Sequence, residues 1–486
     1  MRKSKWISRT VAGVAVAGML AGCAEQTGGT AAQTSSNGME TNQTAEKETA
    51  EKEAAEGSQE VRILSGVTGG KDDEEMKLFE KALSEATGLQ VTMEKPPSDY
   101  NSVLMQKLQG GEQYDLIYVG DSYARLVDQG ALMDLTDIVA KSDILTNNID
   151  PKEWEDIKID GKIYGGFNKL ELHRVVALNK VMLEAAGIDY QEIEPTLDGY
   201  YNVFKKLREA NSDKDFYPFN AVLSEAYDLQ PWMAAAGLKD GIETDTDGKT
   251  YVPYATEAAK PVYEWLKKLY DEGLLDPASF VDQTKDMRNK MGAASKKTAV
   301  CVDWAMWVGL HNANAEAENI PHEEFEIVSL PGVENPEGSY MLVKGGVSLF
   351  GIPVNAKNPE GAVKVLEYFA TQEGGELLSL GIEGHDYTKD GDQYTLTDIG
   401  KTHGCDHGAP RPIFKDFKNP VGYNTGVDEA LTYLPYAKTR SPRADEKDYK
   451  STIGKWTISM VKGDVSIDEG IQKMADELHT LGYTDK

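Results

Sequence analysis

From Val61 onward short apolar runs alternate with helical patterns, and this alternation constrains the fold more than any other feature of the chain. "VRILSG" is a strand-length apolar run, while "DEEMKLFEKALSEATG" repeats large apolar residues at Met76, Phe79 and Leu83 and stops at Gly88. "LQVTMEKP" reads as a strand again. "SDYNSVLMQKLQGG" supplies a Ser98 or Asp99 cap and a Gly110 terminator, and "YDLIYVG" is a buried strand that leads into a helix from Tyr123. Strands alternating with helices in this way predict an α/β fold with parallel, doubly wound sheets. Ligands of such sheets sit outside the carboxyl ends of the strands, which here means Ser65 to Lys71 and Asp121 with Ser122.

After "KSDILTNNIDPKEW" the rhythm changes. "GKIYGGFNKLELHRVVALNK" predicts two strands about a polar kink, and long amphipathic helices then dominate, among them "EAAKPVYEWLKKLYDEG". A strongly apolar strand returns at "GGVSLFGIPVN", the helix "PEGAVKVLEYFATQ" follows, and helical segments close the chain with "DEGIQKMADELHTLG". The body from Val61 is too long for one core, since single cores stop growing beyond about 250–300 residues, so two domains are expected. "KDGD" and "ETDTDGKTY" read as hairpins.

The first 60 residues are of another kind. Arg2, Lys3, Lys5 and Arg9 precede an apolar stretch from Val11 to Ala21, the charge-then-apolar order of a secretory signal. That stretch falls short of the roughly 20 apolar residues that cross a bilayer. "LAGC", ending at Cys23, resembles the lipobox of bacterial lipoproteins, which implies a diacylated Cys23 as the mature N-terminus and residues 1–22 as its signal. After Cys23, the segment up to residue 60 is mostly Thr, Ser, Gln, Glu, Ala and Gly, with no aromatic residue and only Met39 as a large apolar one; such a composition cannot offset its ordering entropy and predicts a tether of about 30–35 Å root-mean-square span. The chain carries a net charge of −29, which argues against nucleic acid and anionic lipid as partners and leaves the lipid anchor as the only tie to a membrane. Besides Cys23 there are Cys301, in the apolar run "TAVCVDW", and Cys405; a bridge between them and two free thiols are both open.

Several pieces in register resemble the extracellular solute-binding proteins, family 1, that serve carbohydrate ABC importers: "ATGLQVTM", "GGEQYDLIYVG", "LVDQGALMDLTDIV", "DGKIYGG", "NKVMLEAAGI", "YDEGLLDP", "GIPVNAKNPEGAVKVLEYFATQEGGELL" and "GIEGHDYTKDG". The family is similar to maltodextrin-binding proteins. The resemblance implies a two-lobed, type II periplasmic-binding-protein-like fold, with a first lobe of residues 61–139 and 344–395 and a second of 140–343 and 396–486. It also implies a monomeric receptor that closes on an oligosaccharide between its lobes and delivers it to permease subunits, without a cofactor. An anchored glycoside hydrolase or lyase and a peptide-binding importer receptor are the alternatives.

Sugar sites need flat aromatic faces together with carboxylate, amide or guanidinium groups. "VCVDWAMWVG" offers Asp303, Trp304 and Trp307 at a strand end, against the plainer reading of core packing; Trp232 opens a helix in "LQPWMAAAG", and Trp265 shares an apolar face with Val262, Leu266 and Leu269 and reads as core. In the kink "FNKLELHR", Lys169, Glu171 and His173 alternate and so share a strand face. Asp121, His385 and Tyr387 are the first-lobe candidates, and Arg411, between Pro410 and Pro412, presents a rigid guanidinium.

"KTHGCDHGAP" spaces His403, Cys405 and His407 at alternate positions; these are zinc ligand types, but no fourth ligand is in view and no metal is expected. Some family members carry a calcium loop after the helix that matches Thr196 to Ala210. Here Asn211, Asp213 and Asp215 keep loop positions one, three and five, but Phe216 stands where Gly is needed and Val222 where a bidentate Glu belongs, which counts against calcium. There is no G-x-S-x-G, H-E-x-x-H or P-loop, so no enzyme is expected.

Overall fold

Val61, Ile63 and Leu64 are each no more than 1% exposed, as an apolar strand at the centre of a covered sheet requires. The computed structural model describes residues 59–97, 99–344, 348–403, 407–438 and 446–485. Strand Glu60–Leu64 pairs in parallel with Gln90–Glu94 on one side and Leu116–Tyr118 on the other, and the sheet continues through Leu349–Gly351 to Gly166–Phe167. Leu349–Gly351 runs antiparallel to both of its neighbours. The linking helix Asp73–Thr87 starts where the Asp72 side chain accepts from the backbone N–H of Glu74 and Glu75, and ends at Gly88, whose φ of 68° is the left-handed stop that glycine permits.

A second sheet orders Ala437–Lys438, Leu342–Val343, His173–Asn179, Thr298–Trp304 and Tyr217–Phe219, with Ile327–Leu330 also on His173–Asn179. Its central strand buries both faces. Val176 and Leu178 enter one core with Tyr200, Phe204 and Trp265, while Val175 and Ala177 enter another with Cys301, Val308 and Phe325. Cys301 is a fully buried free thiol, and Cys405 lies outside the described residues.

The architecture is α/β with two lobes, as expected, but the lobe boundaries are displaced. Val139, Leu145, Ile149, Trp154, Ile157 and Phe167 pack into the first core with Leu116 and Phe350, so the chain leaves the first lobe near residue 168 rather than 139. Ala409 and Ile413 belong to the same core, so the last return lies beyond them and not at 395. The short helices Thr136–Lys141, Asp143–Asn148 and Pro151–Asp156 break the strand–helix rhythm without leaving the lobe, because their apolar residues still face its sheet. Both hairpins form, at Tyr387–Asp390 with Gln393–Leu396 and at Glu243–Thr244 with Thr250–Tyr251. Among the described residues no helix is long and apolar enough to cross a membrane.

Candidate functional site

Strand direction decides where a site can form. Gly166–Phe167 runs parallel to Leu116–Tyr118, because each is antiparallel to Leu349–Gly351, so the chain leaves the first sheet at its carboxyl edge. It enters the second sheet at His173, which is paired with Trp304, the carboxyl end of the antiparallel strand Thr298–Trp304. The crossing segment 168–172 therefore joins the carboxyl edges of both sheets, the edges at which α/β sheets bind ligands.

On this crossing the alternating trio comes together with a tryptophan. Lys169 Nζ pairs with one Glu171 oxygen, and His173 Nε2 lies 2.9 Å from the other. The His173 and Trp304 rings are 5.4 Å apart, and Lys169 Nζ stands 5.4 Å over Trp304. Burial works to raise the Glu171 carboxyl, but the His173 hydrogen bond and Lys169 outweigh it and hold the group at about 2. Burial also keeps the His173 imidazole below its ordinary value, so the neutral ring donates its Nε2–H to the carboxylate. The result is a half-buried aromatic face ringed by polar groups.

Arg174, next along, was missed by the sequence reading because a β-bulge re-aims it. The register passes from His173 opposite Trp304 to Val175 opposite Asp303, leaving Arg174 at φ 72°. Its guanidinium donates to Asp228 Oδ1 at 2.8 Å and covers the Tyr227 ring at 5.0 Å. Burial pushes the Asp228 carboxyl up to about 6 against the pull of Arg174. Lys450 approaches Tyr227 from 5.3 Å and pairs with Asp240. Asp240 in turn lines a cavity of about 500 Å³ with Gln230, Tyr340, Val343, Tyr436 and Tyr449, and Val343 is the other strand partner of His173. No local signal in the sequence marks Tyr227, Asp228 or Lys450, whose partners are remote in the chain.

The remaining candidates scatter. Trp232 is 0% exposed, wedged edge-on against Tyr200 and Phe219 at 5.0 and 5.3 Å and beside Trp265 at 5.0 Å; it is core, not a ligand platform, because its helix turns this face inward. Tyr387 is also withdrawn, buried in its hairpin and stacked on Tyr394 at 5.4 Å. Asp303 reaches the strand end, but Arg288 holds both of its oxygens and the Trp304 N–H donates to Oδ1 as well, so the carboxylate is committed within the protein. Trp307 is half-buried under Arg288 and lines a separate cavity of about 540 Å³ with His311, Asn314 and Lys285. Arg411 lies beside the crossing, where its carbonyl accepts from Leu170 N–H and its guanidinium donates to the Pro412 carbonyl at 3.3 Å. His385 joins Glu75 and Asp386 on the first lobe. Asp121 sits on the turn Gly120–Ser122 after a first-sheet strand, with its side chain outside the described residues, as is Cys23.

The would-be calcium loop contains a cation of its own. The Arg208 guanidinium donates to the carbonyls of Asn211, Asp213 and Phe216, and Lys297 pairs with Asp213 at 2.9 Å.

The profile of the family "Bacterial extracellular solute-binding protein" matches residues 69–376. The chain is 25% identical to Lipoprotein LipO of Bacillus subtilis (strain 168) over 404 residues, 78% of this chain and 76% of that protein. Among solved structures it resembles the sugar-binding protein MalE from Xanthomonas citri, with a TM-score of 0.65 at 16% identity over 87% of this chain and 97% of the other. It also resembles the ABC substrate-binding protein Lmo0181 from Listeria monocytogenes in complex with cycloalternan, with a TM-score of 0.62 at 15% identity over 87% and 99%. At these identities the two structures speak for the fold.

Proposed function

The chain belongs to the bacterial extracellular solute-binding proteins, and from that premise we propose that it is the lipid-anchored receptor of a carbohydrate ABC importer, taking an oligosaccharide between its lobes and handing it to the permease. The observation that carries this reading is the cluster of Lys169, Glu171, His173 and Trp304 on the crossing segment. An indole face suits the C–H surface of a pyranose, and the ring of ammonium, carboxylate and imidazole suits its hydroxyls. Arg174, Tyr227 and the cavity beyond Asp240 extend the same edge and would take further sugar units.

The sugar-binding and cycloalternan-bound proteins of like fold are consistent with a saccharide, and the LipO relative with an anchor at Cys23. A monomer suffices for the work, because each lobe supplies one wall of the cleft. Closure follows from the same arrangement: a ligand favours the closed state only by its difference in affinity between open and closed forms, so it must touch both lobes.

The test begins with a thermal-shift screen over an oligosaccharide panel, since a ligand that binds only the folded state raises Tm by mass action. X-ray scattering with the best hit at saturation is then expected to give a smaller radius of gyration than the empty protein. A panel without any stabilising saccharide, beside a peptide mixture that does stabilise, would overturn the reading.

A further inference from the structure

Resting on the carbohydrate reading above, we infer that the cleft takes uncharged saccharides in preference to acidic ones, a choice set by the ion pairs Arg174–Asp228 and Arg288–Asp303. Along the carboxyl edge of the second sheet, Lys169 pairs with Glu171, Arg174 with Asp228, Arg288 with Asp303, and Lys450 with Asp240. Each of these four cations meets a carboxylate of the protein itself. Burial keeps the His173 imidazole beside them below its ordinary value and so neutral. Arg411 stands apart from this edge. Lys169 is bridged to Pro412 and Leu170 N–H donates to the Arg411 carbonyl, so Arg411 falls opposite Leu170, on the other face from Lys169 and Glu171.

The two arginine pairs are the ones that a ligand anion would have to open. Arg174 gives Asp228 Oδ1 a hydrogen bond of 2.8 Å while Val222 N–H holds Oδ2 at 2.7 Å, and Arg288 takes both oxygens of Asp303. Both carboxylates are 4% exposed. A uronate could draw either guanidinium to itself only by leaving a buried carboxylate without its counter-charge, which is strongly unfavourable. The pairs are also neighbours: burial does most to raise the Asp228 carboxyl, and the field of Asp303 adds to it, so a third anion at this edge meets two carboxylates at once. Backbone geometry singles out the first pair as well. Arg174 has φ 72° and Ala226, two residues before Asp228, has φ 57°; left-handed backbone at non-glycine residues is costly and gathers at functional sites.

A hydroxyl fits where an anion does not. It donates and accepts, so it can take an N–H of the guanidinium and give its own hydrogen to a carboxylate lone pair with the ion pair intact. A carboxylate only accepts, and so competes with Asp228 and Asp303 for the same N–H groups. On the carboxyl edge of the first sheet the exposed Lys71 is followed at once by Asp72, Asp73, Glu74 and Glu75, which cancels its pull on an anion. The net charge of −29 opposes an anion's approach from farther out.

The test is calorimetric titration of the full chain in detergent with glucose-, mannose- and galactose-based trisaccharides, each beside the uronate trisaccharide of the same sugar. Every neutral trisaccharide that binds is expected to do so at least about tenfold more tightly than its uronate counterpart. Asp228→Asn and Asp303→Asn each remove one carboxylate and release one guanidinium, and are expected to shrink that gap several-fold. Circular dichroism establishes that the variants fold, and the wild-type comparison decides the preference without them. Uronates that bind as tightly as their neutral counterparts, or more tightly, would overturn the inference and leave the carbohydrate receptor standing. A gap unchanged in both folded variants would overturn the role of the two pairs. If no saccharide binds, the receptor reading falls and this preference with it.

Discussion

Arg288 grips Asp303 with two nitrogens, Nε to Oδ2 at 2.8 Å and Nη2 to Oδ1 at 2.6 Å, while its guanidinium plane lies 3.8 Å over the Trp307 ring. The Asp303 side chain is 4% exposed and that of Arg288 21%, so removing Asp303 strands a mostly buried guanidinium. Asp303→Ala is expected to cost about 3–5 kcal/mol of stability. Urea denaturation measures this, and a loss no larger than that of an exposed pair would contradict the commitment of Asp303 to Arg288.

The tryptophans should separate by location. Trp304→Ala is expected to weaken saccharide binding by about 1–3 kcal/mol with little change in melting, because its ring is partly exposed at the strand end. Trp232→Ala should cost about 3–5 kcal/mol of stability, since it empties the centre of the second core. Calorimetric titration beside thermal melts decides both, and a Trp232→Ala protein with wild-type melting would contradict its place in the core.

Glu171 carries a pH signature. Its carboxyl is held at about 2 in the folded protein against an ordinary 4.5, so the folded state binds the proton less readily than the unfolded chain. The stability this confers is fully present above pH 4.5 and is lost as pH falls toward 2. The difference is worth roughly 3 kcal/mol. Glu171→Gln should therefore be less stable than wild type at the upper end of that window and approach it at the lower end. Denaturant titrations at both ends measure the gap; a gap that does not narrow with acid would show the carboxylate to be unpaired.

Anchoring is a separate matter. Cys23→Ser is expected to release the protein from membranes into a detergent-free supernatant, because in the proposed anchoring the Cys23 thiol carries the lipid. Equal retention of the variant on membranes, followed by fractionation and blotting, would remove the lipoprotein reading.

Much of this molecule was legible where the signals are local. Gly88 stops its helix, Thr196 caps Leu197–Ala210 by accepting from Gly199 N–H, and Trp265 packs on the apolar face its spacing assigns. The alternation of Lys169, Glu171 and His173 correctly gathered one cluster. Alternation failed one residue later, because it presumes a regular strand and the bulge at Arg174 breaks the period. Asp228 lies 54 residues from Arg174, and Asp240 lies 210 from Lys450, separations at which only tertiary packing matches charges. Trp232 misled for a related reason: the start of a helix says nothing about which way it faces once docked. The lobe boundary slipped because short helices look like a change of domain even when they cover the same sheet.

The guanidinium of Arg208 in the loop after Ala210 bears on where such a receptor can work. Carbonyls of this kind are commonly gathered by a dissolved ion, which ties a protein's shape to the composition of the surrounding water. A cation borne on the chain itself cannot be diluted, chelated or exchanged. In a member of an extracellular solute-binding family, where divalent ions rise and fall with the medium, the second lobe gathers these carbonyls with a charge that travels with the chain.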